Sequence, residues 1–183
     1  FTFPAKIEDV GAHAFGPEAY PGVPRKDGSD IWDEEYKEDI FVGYRWVDKE
    51  KTKPLFPFGH GLSYTTFAYG KATVNKSTMT ADDKLTVSVP VTNKGNRDGQ
   101  EVVQLYISDL KSSLPRPLKE LKGFKKVNIP AGQTVTVEFT IDKKALSFFD
   151  PQKHDWVAEP GKFEALVAAS SADIRSKVAF ELQ

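Results

Sequence analysis

The sequence has no cysteine, one methionine and three histidines among its 183 residues. Disulfides, thiol nucleophiles and thiolate metal sites are thereby excluded. The absence says little about compartment, because periplasmic and secreted bacterial proteins can also lack cysteine. Net charge is almost absent too: 25 basic against 26 acidic residues leave a formal −1, too weak a field to recruit polyanions, and no basic block interleaves with aromatics. Nucleic acid is therefore not an expected partner. No apolar run approaches the roughly 18 residues that span a bilayer, and no charged n-region with an apolar h-region stands at the front. Membrane insertion is not expected either. What remains is a chain with 39% hydrophobic residues, enough for a core of its own. Its opening, FTFPAKIEDV, runs an apolar alternation into Pro4 with no methionine before it. The sequence thus reads as a piece of a longer polypeptide.

Two regimes follow each other along the chain. Residues 1–66 hold Pro4, Pro17, Pro21, Pro24, Pro54 and Pro57 with seven glycines and no sustained period of 3.6. This composition predicts a long, mostly irregular linker that lies on another surface, with a short strand at 39–47. From Phe67 the period becomes two. KLTVSVPVTN puts Leu85, Val87, Val89 and Val91 on one face, and TVTVEFTI does the same with Val135, Val137, Phe139 and Ile141. EVVQLYIS, FEALVAAS and KVAFEL continue the pattern, separated by the turn chemistry of NKGNRDG, IPAGQ and AEPGK. The expected fold class is all-β, an immunoglobulin or fibronectin type III-like sandwich over 67–183. Pro90 inside a strand predicts an edge position or a bulge.

Few residues have the spacing that chemistry needs. WDEEYKED gathers Asp33, Glu34, Glu35, Glu38 and Asp39. A glycosidase pair requires two carboxylates at a set separation, one of them with a raised pKa, whereas a sequence cluster of this kind reads as a solvated face. His13, His60 and His154 lack H-x-x-x-H spacing, so no metal site is expected. Ser63 follows His60 in GHGLS, but a nucleophile elbow needs G-x-S-x-G on a strand-to-helix turn. Two binding readings remain. Trp32, Tyr36, Tyr44, Trp46, Phe56 and Phe58 offer flat rings on which sugars stack, although such rings also pin an irregular segment to a neighbouring surface. Tyr106, Phe148, Phe149 and Trp156 are the rings a carbohydrate-binding sandwich module would use, with LSFFD reading as a short strand buried on one side. The Asn75-Lys76-Ser77 sequon carries weight only in a eukaryotic secretory context.

YKEDIFVGYRWVD followed by PLFPFGHGLSYTTFAY resembles the segment that joins the second domain to the C-terminal domain of family 3 glycoside hydrolases, the β-glucosidase and β-xylosidase type. LTVSVPVTNKGNRDGQEVVQLYISD, RPLKELKGFKKVNIPAGQTVTVEFTI and EPGKFEALVAASSADIR are similar to that family's fibronectin type III-like domain, and FTFP to the end of its α/β sandwich domain. The resemblance implies a parent enzyme of the retaining kind, with an aspartate nucleophile and a glutamate acid/base that both lie upstream. It implies no catalytic residue, cofactor or metal ligand in this chain, and a periplasmic or secreted location. The partners it implies are the upstream catalytic domains, an oligosaccharide bound through the parent, and a second copy in a homodimer. Residues 1–66 become the tail of the α/β domain and its wrapping linker, which hold the sandwich against the catalytic body. Trp32 and Trp46 are placed at the rim of the substrate cleft. Phe56, Phe58, Gly59, His60, Gly61, Leu62 and Tyr64 form the structural joint, with Phe67 closing it. Where immunoglobulin-like folds often place a corner tyrosine, PGKF has Phe163, so packing must hold that corner.

Overall fold

A computed structural model describes residues 2–183, which divide into two compact units after Gly59. The second unit is a β-sandwich built from the period-two segments. Its strands are β3 Phe67–Tyr69, β4 Thr73–Val74, β5 Thr78–Met79, β6 Leu85–Asn93, β7 Gly99–Asp109, β8 Glu120–Ile129, β9 Thr134–Ile141, β10 Phe148–Asp150, β11 Asp155–Val157, β12 Gly161–Ser170 and β13 Asp173–Leu182. One sheet runs β5-β13-β12-β7-β8, and the other is centred on β6, which pairs with β9 on one side and with β3 and β4 on the other. The hairpin β10-β11 stands by itself.

Alternation explains the core. Leu85, Val87, Val89 and Val91 of β6 and Val137, Phe139 and Ile141 of β9 face Val103, Leu105, Ile107, Phe163, Ala165, Val167, Phe180 and Leu182 of the larger sheet in one buried cluster. Burying such side chains gives about 1.5–3 kcal/mol each. The corner at Phe163 is held by a ring: Phe163 stacks on Phe180 with centroids 5.7 Å apart. At the middle of β7 five consecutive residues, Val103 to Ile107, are buried. Gln104 and Tyr106 belong to the face opposite the core, where Leu166 and Ala168 are buried as well. There Tyr106 donates to Gln104 at 2.6 Å, and the Gln104 amide donates to the Ala169 carbonyl at 2.9 Å.

Pro90 takes neither an edge position nor a bulge. It lies mid-way along the central strand, with β6-β9 register unbroken from Leu85↔Ile141 to Thr92↔Thr134. In an antiparallel ladder the N and O of one residue face the same neighbour, and the Pro90 oxygen accepts from Gly70 N at 2.8 Å. The missing N–H therefore faces the break between β3 and β4, where no ladder partner is required. Gly70 fits because a Cβ there would lie 2.5 Å from Pro90 Cγ.

Asn93, at the end of β6, is fully buried. Its amide nitrogen donates to the carbonyls of Arg97 and Ile129 at 2.7 and 2.9 Å, and its oxygen accepts from Thr65 Oγ1 and Gly95 N at 2.5 and 3.0 Å. All four hydrogen-bonding positions of the amide are thus occupied. Arg116 performs a similar task on the loop between β7 and β8: it pairs with Asp109 at 3.5 Å and with Glu120, and its guanidinium lies 4.8 Å from the Phe148 ring centroid.

The first unit holds more regular structure than its composition suggests. A 3-10 turn Ile7–Asp9 leads to α1 Gly11–Ala14, the two-residue strands β1 Val23–Pro24 and β2 Trp32–Asp33 pair antiparallel, and α2 spans Tyr44–Glu50. The strand expected at 39–47 is a turn followed by this helix. Asp39 and Gly43 both have positive φ, 54° and 58°, so the extended path cannot continue. The turn brings Trp46 onto Gly11, where a Cβ would sit 3.1 Å from the indole. Phe3 pairs with Phe56, its N–H donating to the Phe56 carbonyl at 2.8 Å while Leu55 N donates back to Phe3 O at 2.8 Å. Phe3 and the Leu55-Phe56 pair thus tie the two ends of the unit together.

In urea melts of the 183-residue chain, Ile141→Ala should cost about 2–5 kcal/mol, as for other fully buried aliphatics cut to alanine. Gly70→Ala should also destabilise, and adding Pro90→Ala should recover most of the loss. A Gly70→Ala penalty unchanged by the second substitution would show that the proline ring is not the obstacle.

Candidate functional site

The acidic stretch does not converge. Asp33 pairs with Arg25 at 2.7 Å, Glu35 and Glu18 share Lys37 at 3.4 and 2.8 Å, and Glu34 and Asp39 are exposed. Only Glu38 departs from a solvated face: it is buried, and its Oε2 has no hydrogen-bond partner among the described residues. The histidines are equally dispersed. His13 lies edge-on to Tyr20 at 4.8 Å, and His154 occupies a left-handed turn position. Among the described residues no group of three or more His, Cys, Asp or Glu could hold a metal ion.

The two tryptophans differ in setting. Trp32, on β2, is 55% exposed; Trp46, on α2, is 6% exposed with its ring edge-on to Phe15 at 5.5 Å. Of Trp32 and Trp46, the former alone offers an open indole. Of the joint residues in the first unit, Phe56 meets Phe3 edge-to-face at 6.3 Å, Phe58 lies 5.4 Å from Tyr44, and Gly59 has φ 79°. In the second unit Leu62 and Tyr64 are 94% and 97% exposed, so neither fills a joint within its own unit. Gly61 has ordinary φ and open space around it. Among the sandwich rings, Tyr106 and Phe148 are buried, while Phe149 and Trp156 are exposed cross-strand neighbours on the β10-β11 hairpin with centroids 6.0 Å apart.

A cleft of about 370 Å³ opens at one end of the sandwich, lined by residues 60–63 and 65–67 and by Glu101, Ala169, Ser170, Asp173 and Arg175. One wall is pinned through Thr65 to Asn93 and by Lys94 N donating to Thr66 O at 2.8 Å. Gly99 lets this wall approach β7, since a Cβ there would meet Thr65 Cγ2 at 2.5 Å. The charged groups form a chain: Arg175 pairs with Asp173 at 2.7 Å and lies 5.6 Å from the Tyr69 ring, and the Tyr69 hydroxyl donates to Glu101 Oε1 at 2.7 Å. Burial first, then the bond to Glu101 and its charge, push the Tyr69 phenol above its ordinary range, with Arg175 pulling weakly the other way. Sequence reading gave no hint of this cleft, because its charged residues come from β7 and β13, more than sixty positions apart.

The fibronectin type III-like domain family model matches residues 101–171. The chain is 52% identical over 181 residues to Beta-glucosidase BoGH3A of Bacteroides ovatus, covering 99% of the chain and 23% of that relative. Among solved structures, a GH3 β-glucosidase of Bifidobacterium adolescentis superimposes with TM-score 0.85 at 34% identity, over 99% of this chain and 25% of that one. The chain corresponds to the C-terminal part of family 3 β-glucosidases. DesR, a β-glucosidase from Streptomyces venezuelae solved with D-glucose, gives TM-score 0.86 at 38% identity over 100% of this chain and 22% of that one. The chain thus spans about a quarter or less of the family 3 relatives it matches. The region matched in these relatives comprises the fibronectin type III-like sandwich and the segment before it.

A raised phenol pKa means that the folded state resists deprotonation. Its stabilising effect is complete below the unfolded-state value and fades as pH rises through the ordinary tyrosine range and beyond. Stability of the chain should therefore fall with increasing pH above about 10, less steeply in Tyr69→Phe. Urea midpoints of both proteins across that range check it; parallel slopes would remove Tyr69 as the cause.

Proposed function

We propose that this chain is the non-catalytic C-terminal segment of a retaining β-glycosidase acting on terminal β-linked sugars. It serves to dock and stabilise the upstream catalytic domains. The observation that carries the reading is the apolar surface of the first unit. Ile7, Ile31, Trp32, Tyr36, Val42 and Leu55 are each more than half exposed, whereas among its described residues the buried hydrophobic ones are Ala19 and Trp46. A unit that buries so little cannot offset its ordering entropy alone, and so many large apolar side chains left exposed suit a surface that meets another one. The occupant proposed is the α/β domain of the same polypeptide, which the relatives' greater length supports.

Trp32 is the one indole of this unit available for the rim of a substrate cleft, where it would stack on the sugar of the parent's substrate. Trp46 contributes to the unit's packing instead.

Expressed separately, residues 60–183 should unfold cooperatively and resist limited proteolysis, and residues 2–59 should be digested rapidly. Protection of the short fragment on its own would count against docking. In an enzyme that carries the upstream domains, Trp32→Ala should raise KM several-fold with kcat nearly unchanged, the pattern of lost uniform binding. An unaltered KM would sink the rim assignment.

A further inference from the structure

We infer that the cleft lined by Glu101, Asp173 and Arg175 is a binding site for a neutral saccharide, of the size of a mono- or disaccharide. Its volume, about 370 Å³, falls within the 300–1,000 Å³ of small-molecule sites. Its charge, with His60 the remaining titratable group of the lining, disfavours other classes. Two carboxylates face one guanidinium, which disfavours an anion, and the acids are already engaged, Asp173 by Arg175 and Glu101 by Tyr69. No group of ligands for a metal ion exists among the described residues.

What the cleft offers is a fixed set of hydrogen-bonding groups. Among the described residues, Glu101 Oε2 and the Nε and Nη1 of Arg175 have no protein partner, while their other atoms are held in place by Tyr69 and Asp173. A carboxylate and a guanidinium each present planar, paired positions, which suit two adjacent hydroxyls. Ser63, Thr66 and Ser170 add hydroxyls to the lining, and Phe67 and Leu62 supply the apolar surface that a sugar's C–H face requires. The wall bearing Phe67 is anchored through Asn93, so little ordering cost remains to be met on binding.

The test is titration of the 183-residue chain with D-glucose and cellobiose, followed by amide chemical shifts, with glucuronate and a diamine as charged controls. Saturable millimolar binding of a neutral sugar is expected, with shifts at Glu101, Asp173 and Arg175. Glu101→Gln, which keeps the shape, and Arg175→Ala should each weaken it about 10-fold or more, as loss of a hydrogen bond to a charged group does. Tyr69→Phe, which frees Glu101 without touching the ligand, should weaken it less. Thermal melts report whether each variant is folded. Absence of saturation, binding unaffected by Glu101→Gln in a folded protein, or tighter binding of glucuronate or the diamine would overturn the assignment.

Discussion

One buried amide organises the end of the sandwich from which the cleft is built. Asn93 ends the central strand and satisfies every donor and acceptor it has, to Arg97, Ile129, Thr65 and Gly95. Its backbone adds bonds to Gln133 O and from Gly132 N. Three stretches of chain, around Thr65 and over residues 95–97 and 129–133, are thereby fixed to one point. A buried polar network of this kind is favourable only when complete, because one orphaned group costs about 1–3 kcal/mol. The wall that carries Thr65, Thr66 and Phe67 owes its position to that completeness.

The two units obey different physics. The sandwich is stabilised by alternation: side chains of β6 and β9 meet those of β7, β12 and β13 in a core that excludes solvent over both sheets. The first unit is held by short pairings, single rings against single rings, and the bridge between Phe3 and Phe56. Its apolar residues point outward far more often than inward. That asymmetry fits a segment whose stability is shared with other polypeptide, and it is why a docking role follows more readily than a catalytic one.

Legibility in the sequence tracked the same difference. Leu85, Val87, Val89 and Val91 announce a half-buried strand because two-residue periodicity and burial coincide there. Ile40, Val42, Tyr44 and Trp46 show the same alternation, yet the backbone turns helical after Gly43. A left-handed glycine outweighs a short apolar pattern, and nothing local to the pattern reveals it. Pro90 predicts an edge position or a bulge, and it takes neither. The break between β3 and β4 that accommodates it belongs to the tertiary arrangement. The cleft was invisible for a simpler reason: Glu101 and Arg175 come to line one cleft only when β7 and β13 join one sheet.

The closure of the first unit at Phe3 and Phe56 has a topological consequence. The chain leaves and returns at one bridge, so residues between them form an excursion whose two ends are fixed together. The entropy of closing such an excursion grows only logarithmically with its length. Tying the whole excursion at one bridge therefore costs only about 0.6 kcal/mol more than tying one half as long.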